Sequence, residues 1–281
     1  MSANTVAFGL NHMVAPKSSF RELIEIAATL GCEGVEFRND LPGRELFEGE
    51  PARNVRAAAR SAGIRVLALA EVKRFNDGNR QRAAQADELI ELAVECGAEA
   101  VSLIPVNDSN YRPGQGERIE RLRDFLAELA PKIRAAGILG YVEPLGFSIS
   151  SLRTKNEALS AIHDAGVSDE YRLIHDTFHH ALAAESDFFA AETGLVHISG
   201  VDDQTLGISE MEDGHRALVG PKDQIGNIRQ ITELRASGYR GLLSFEPFAS
   251  SVHDDSMLSD SLEASIQFVR KAVSEATGER A

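Results

Sequence analysis

The sequence predicts a single (β/α)8 TIM barrel over residues 1–281, with a core from about residue 5 to 276 and a short flexible C-terminal tail. Three observations predict it. Eight short apolar runs alternate with longer amphipathic ones. The short runs are near-continuous in Val, Ile, Leu and Phe, as strands buried on both faces of a parallel sheet are. The chain's 281 residues suit the roughly 250 that one closed barrel needs.

The short runs are Val6–Asn11, Gly34–Arg38, Arg65–Glu71, Ala100–Val106, Gly140–Leu145, Arg172–Thr177, Leu195–Gly200 and Leu242–Phe248. Helical spacing marks Phe20–Leu30, which follows Ser18 and Ser19 as candidate N-caps, and then Asp87–Gly97, Ile119–Gly137, Lys155–Gly166, Ile225–Gly238 and Met257–Ala276. Ala181–Thr193 is the weakest such pattern. Glycine stops most of these helices just before the next strand, where a left-handed cap is wanted. Such alternation implies parallel pairing through right-handed crossovers. The alternative is an open doubly wound sheet. No Gly-x-Gly-x-x-Gly follows the first run, which counts against a dinucleotide-binding half. The long gaps, Asn39–Pro51, Asn107–Glu117, Val201–Gln224 and Ala249–Ser256, all follow the carboxyl ends of strands. Barrel enzymes build their active sites there.

Lys and Arg total 29 against 43 Asp and Glu, a formal charge of −14. That opposes non-specific binding to nucleic acid or to an anionic membrane. No window approaches the roughly 20 apolar residues of a membrane span, and Met1–Met13 lacks the layout of a signal peptide. A cytoplasmic location is expected. Cys32 and Cys96 are too few for a disulfide framework and read as buried thiols in a reducing compartment.

Four consecutive runs end in residues able to bind metal. Glu143 stands in Tyr141-Val142-Glu143-Pro144, and Glu246 in Ser244-Phe245-Glu246-Pro247. Between them, Leu173-Ile174-His175 leads to Asp176, and His197 lies in Leu195-Val196-His197-Ile198. Taken singly, Asp176 could be a helix N-cap and His197 a satisfied core histidine. Together they put Glu, Asp, His and Glu on one rim of the sheet. Burying an unpaired carboxylate costs several kcal/mol, and a bound cation offsets that cost. Three carboxylates and one imidazole form a mostly hard set, suited to one divalent ion such as Mn²⁺, Co²⁺, Zn²⁺ or Mg²⁺.

This order, with Asp-x-x-His on the sixth strand, resembles the xylose-isomerase-like barrel superfamily of sugar isomerases, epimerases and apurinic endonucleases. Within it, the inosose isomerase branch (2-keto-myo-inositol isomerase) is the nearer match. Asn11-His12-Met13, Val35-Glu36-Phe37-Arg38-Asn39-Asp40, Glu143-Pro144-Leu145-Gly146-Phe147, His175-Asp176-Thr177-Phe178-His179-His180 and Glu212-Asp213-Gly214-His215-Arg216 carry the likeness. The resemblance implies that Glu143, Asp176, His197 and Glu246 bind one metal and that Glu143 and Glu246 are the catalytic acid/base pair. It also implies substrate contacts from His179, Arg216, Arg38 and Asn11. The implied reaction moves a carbonyl between adjacent carbons of a polyol ketone, 2-keto-myo-inositol to 1-keto-D-chiro-inositol, by enediolate proton transfer.

The loop after the eighth run, Ala249–Asp255, is acidic and has no glycine. Phosphate sites of barrels favour glycine-rich loops in that place. A neutral polyol-ketone substrate is therefore expected, with Lys222 the one feature against it. A ketose 3-epimerase or hydroxypyruvate isomerase would share the same metal site. A metal-dependent endonuclease is disfavoured, although Asp213-Gly214-His215 resembles its Asp-x-His pair. Leu69-Ala70-Glu71 and Pro105-Val106-Asn107 supply no histidines for further zinc ions. A non-catalytic polyol-binding barrel would have lost a ligand, and none is missing. The native metal, the exact substrate and the oligomeric state, including a homo-oligomer, stay open.

Overall fold

A computed structural model describes residues 6–278. Its eight strands are β1 (Phe8–Asn11), β2 (Gly34–Arg38), β3 (Arg65–Lys73), β4 (Ala100–Ile104), β5 (Leu139–Val142), β6 (Tyr171–Asp176), β7 (Thr193–Ile198) and β8 (Leu243–Phe245). They pair in chain order and close into a barrel as β8 meets β1, Gly9 opposite Ser244, all parallel. The helices are α1 (Phe20–Thr29), α2 (Ala52–Ala62), α3 (Gln81–Cys96), α4 (Gln115–Ala136), α5 (Lys155–Asp164), α6 (Thr177–Ala183), α7 (Asn227–Ala236), α8 (Ser250–His253) and α9 (Leu258–Thr277). The (β/α)8 expectation holds. Among the described residues no helix is long and apolar enough to cross a membrane. The expected C-terminal tail falls largely on residues 279–281, outside the described range.

Local chemistry explains most boundaries. Ser19 caps α1 in a reciprocal box with Glu22. Gly63, Gly97 and Gly137 take left-handed conformations that end α2, α3 and α4. Helix α2 had no counterpart among the helical stretches read from the sequence. It buries Ala52, Val55 and Ala59 on one face and turns Arg and Ser outward, so the amphipathic signal is present, but on an apolar face that is mostly alanine. Helices α3 and α4 begin earlier than expected because their first turns are polar. The weak pattern at Ala181–Thr193 is corrected. The helix there is α6, which starts directly after Asp176, because Asp176 Oδ1 accepts from Phe178 N at 2.8 Å and His179 N at 3.0 Å.

Side chains alternate across a strand, so residues two apart share the barrel interior. A lower interior layer contains Leu67, Ala100, Tyr141, Ile174 and Leu195, all buried. Leu67 fills the space that β1 and β2 leave open. A Cβ on Gly9 would stand 2.8 Å, and one on Gly34 2.6 Å, from its side chain. Two positions above Tyr141, Ile174 and Leu195 stand Glu143, Asp176 and His197. The apolar floor therefore places these polar groups at the carboxyl ends of the strands, as the sequence predicts.

The β5–α5 connection packs directly on α6. A Cβ on Gly146 would lie 2.2 Å from His179 O and 2.8 Å from Ala183 N. Backbone atoms on both sides cannot yield without moving the helix. Gly146→Ala is expected to destabilise the protein by about 1–3 kcal/mol through overpacking, read as a lower urea midpoint. An unchanged midpoint would mean that α6 moves freely.

Candidate metal centre

Glu143, Asp176, His197 and Glu246 are all buried, and one ligand atom from each lies within 4.8 Å of the other three. Among the described residues this is the one group of three or more His, Cys, Asp or Glu side chains so arranged. The imidazole organises it. His197 Nδ1 stands 3.2 Å from Glu246 Oε2, 3.4 Å from Glu143 Oε1 and 3.9 Å from Asp176 Oδ2. Its other nitrogen, Nε2, is 3.1 Å from Glu36 Oε2, and Glu36 also accepts the Ser244 hydroxyl. A metal-binding histidine commonly hands its second N–H to a carboxylate, which fixes the ring's tautomer and direction.

Glu36 is wholly buried, and sequence reasoning gave it no role. The signal was available: a carboxylate inside Gly34-Val35-Glu36-Phe37 invites the same question as Glu143 or Glu246.

The two glutamates differ in environment. Glu246 Oε1 accepts from Arg38 Nη1 at 2.7 Å and Asn11 Nδ2 at 3.1 Å, while Arg216 Nη2 donates to Oε2 at 2.9 Å. Burial alone would raise its pKa, but His197, Arg216 and Arg38 outweigh burial and hold it well below the usual carboxylate range. Glu143 has only His197 beside it, at 3.4 Å. Burial pushes its pKa up to about 7 against the opposing pull of His197. Burial disfavours a charged His197, yet Glu246, Glu36 and Glu143 raise its pKa well above the ordinary value.

The donor set fits a divalent ion. Three carboxylates and an imidazole converge, and the imidazole is backed by a further carboxylate. A bound cation must displace protons from His197 and Glu143, so its affinity is expected to rise with pH. Titration calorimetry in buffers of different ionisation heat should find proton release on binding, with affinity falling as pH drops through about 7. A pH-independent affinity would contradict this. In the metal-free fold the sign is opposite. Glu143 has its pKa raised from 4.5 to about 7, so its contribution to stability is complete below pH 4.5 and is lost as pH rises through about 7.

Arg216 is buried. It follows β7 in the long loop predicted to matter. Its Nη2 lies 2.6 Å from Asp176 Oδ2, its Nε donates to Ser199 Oγ at 3.0 Å, and its Nη1 reaches Asp213 Oδ1 at 3.2 Å. Its guanidinium lies 4.5 Å from the Phe248 ring centroid and 5.1 Å from that of Phe178. Arg38 is fixed by two bonds of 2.8 Å to Asp40. Both arginines, with His179, Glu143 and Glu246, line a cavity of about 270 Å³ whose far wall includes Glu71, Lys73, Arg74 and Asn107. Burial lowers the pKa of His179, leaving a neutral ring, and its Nδ1 has no protein partner. Asn11 is wholly buried beneath Glu246 and does not line the cavity. Asp213 reaches the cavity, whereas His215 is half-buried, does not line it, and accepts through Nδ1 from Glu212 N at 2.9 Å. Cys32 and Cys96 are buried, free and remote from this chemistry.

Residues 24–272 match the family described as Xylose isomerase-like TIM barrel. The chain belongs to that family. It is similar to a xylose isomerase domain containing protein (stm4435) from Salmonella typhimurium LT2, at 30% identity over 98% of both chains with a TM-score of 0.84. It shares the fold of an IOLI protein with a binding zinc atom at 18% identity, covering 98% of this chain and 99% of that one, TM-score 0.79. It also shares the fold of D-psicose 3-epimerase from Clostridium cellulolyticum H10, crystallised with D-tagatose, at 17% identity over 95% and 99% of the chains, TM-score 0.75. The sequence matches no curated protein significantly.

Proposed function

We propose that this protein is a divalent-metal-dependent isomerase that moves a carbonyl between adjacent carbons of a neutral polyol ketone, with 2-keto-myo-inositol as the leading substrate. The observation that carries this is the convergence of four buried ligands, two of which, Glu143 and Glu246, line a cavity that Arg216 and His179 also face. Glu143, Asp176, His197 and Glu246 would hold the ion. When bound, the ion would supply Lewis-acid polarisation of a carbonyl.

The side chains supply the rest. One glutamate takes the proton from the hydroxyl-bearing carbon beside the carbonyl, the hydroxyl proton passes to the carbonyl oxygen, and a proton returned to the former carbonyl carbon completes the shift by one position. Such acid–base steps contribute roughly 10²–10⁴-fold. Glu246, held ionised by its cationic and amide donors, is suited to take the carbon-bound proton. Glu143, with one partner and a raised pKa, is suited to return a proton to the neighbouring carbon. Arg216, already directed at the cluster, would stabilise developing oxyanion charge. His179, with a neutral ring on the cavity wall, would hydrogen-bond a substrate hydroxyl. Asn11 acts on substrate only through Glu246.

The cavity's electrostatics support a neutral substrate. Each cation on its wall has a carboxylate within 4.0 Å: Arg38 with Asp40, Lys73 with Glu71, Arg74 with Asp108 and Arg216 with Asp176. A short helix, α8, does follow β8, the place where barrels often bind phosphate. Its approach is already engaged, because Phe248 N and Ala249 N both donate to Arg216 O at 2.8 Å.

The test is deuterium exchange. Metal-loaded protein is incubated in D₂O with 2-keto-myo-inositol, and in parallel with free ketohexoses, and loss of the α-proton signal is followed by NMR. Exchange into the inosose supports the reading. Exchange into ketohexoses alone would make the protein a 3-epimerase, and exchange into none would reject the proton transfer.

A further inference from the structure

A second polar cluster lies on the other side of α6, away from the cavity. Lys155, the first residue of α5, is 3% exposed. Its ammonium stands 2.9 Å from His175 Nδ1, 3.0 Å from His180 Nδ1 and 3.7 Å from Glu185 Oε2. The rings of Phe188 and Phe189 lie 5.6 and 5.8 Å away. An ammonium has three donors and no acceptor; two of them meet the imidazole nitrogens, and the Glu185 carboxylate adds an ion pair. Both imidazoles must therefore accept through Nδ1, which makes each a neutral ring with its proton on Nε2. His175 uses that proton toward Gln230 Oε1 at 3.0 Å, and Gln230 Nε2 donates in turn to Thr177 O at 2.9 Å.

His175 and His180 bracket a segment that serves the cavity. Between them lie Asp176, a member of the four-ligand cluster, and His179, on the cavity wall. Lys155, His180, Asp176 and His179 together line one small void of about 10 Å³. Lys155 thus ties the carboxyl end of β6 to α6 from behind.

We propose that Lys155 is a positioning residue: by joining His175 to His180 it fixes the segment that aims Asp176 at the metal cluster and His179 at the substrate. The electrostatics agree with this geometry. Burial lowers the Lys155 pKa to about 8, and burial together with Lys155 lowers that of His180 to about 3. The His180 ring is therefore uncharged at neutral pH, as an acceptor for an ammonium must be.

The inference rests on the proposed metal site, and the test separates the two. Long-range ¹H–¹⁵N spectra of the imidazoles are recorded on the wild-type protein, metal-free and Zn²⁺-loaded, with His175 and His180 assigned by substitution. Protons on Nε2 of both rings are expected, and a proton on Nδ1 of either overturns the proposal whatever the metal does. Zn²⁺ affinity is then compared by calorimetry between wild type and Lys155→Met, which keeps length and apolar packing. The variant is expected to bind at least tenfold more weakly and to show a lower kcat, with the cooperative unfolding of the metal-free protein retained. Wild-type binding with unchanged affinity in the variant overturns the role of Lys155, whereas no binding by wild type overturns the metal site itself. Should the variant fail to fold, the wild-type tautomers decide.

Discussion

Glu246→Gln is expected to lower α-proton exchange in 2-keto-myo-inositol by roughly 10³-fold or more, in the upper part of the range for a lost acid–base group. Glutamine preserves size but cannot take a proton. The substitution also disturbs more than a base. Glu246 accepts from Arg38, Asn11 and Arg216, and a neutral amide turned to these donors leaves one of them facing an N–H group. Metal affinity should therefore fall as well. Metal content is measured first, and activity is compared at saturating Mn²⁺. A variant that holds metal and still exchanges the proton at the wild-type rate would remove Glu246 from the chemistry.

Chelation should have an effect of similar size on activity and a separate effect on stability. With the ion absent, the buried carboxylates of Glu143, Asp176 and Glu246 keep only His197 and Arg216 as nearby positive charge, apart from Arg38 on Glu246. An ion at a hundred times its Kd stabilises the fold by about 2.7 kcal/mol. For a chain of this size that corresponds to a fall of roughly 5–10 °C in Tm on chelation. Thermal unfolding with and without a chelator, followed by return of Mn²⁺, reads both effects. An unchanged Tm together with full activity after exhaustive chelation would exclude a functional ion.

The strands were legible for a physical reason. Strands buried on both faces leave near-continuous apolar runs such as Ala100–Ile104, and all eight appeared in the sequence. Helix α2 was overlooked although it is amphipathic, because its buried face is mostly alanine rather than the Val, Ile, Leu and Phe that marked the other elements. The helix after β6 was misplaced because Phe188 and Phe189 extended the apolar pattern beyond its end. The residue that starts it, Asp176, had been weighed either as a cap or as a ligand. One oxygen caps and the other faces the cluster, so both readings apply.

Site residues followed the same division. Glu143 and Glu246 stood out because a carboxylate inside an apolar strand has few innocent explanations. Glu36 met that criterion and went unassigned. The burial of Arg216 could not be read, since a charged residue in a long polar loop looks solvated until Phe178 and Phe248 close around it. The contacts of Lys155 were equally hidden, because its partners come from β6, α6 and the segment after α6.

The most direct test is anomalous diffraction at the manganese edge from crystals grown with Mn²⁺. One peak is expected, within coordination distance of Glu143, Asp176, His197 and Glu246 together. A peak bound elsewhere, or none at that point while Arg216 keeps its contacts to Asp176 and Glu246, would contradict the proposed centre and the isomerase chemistry with it.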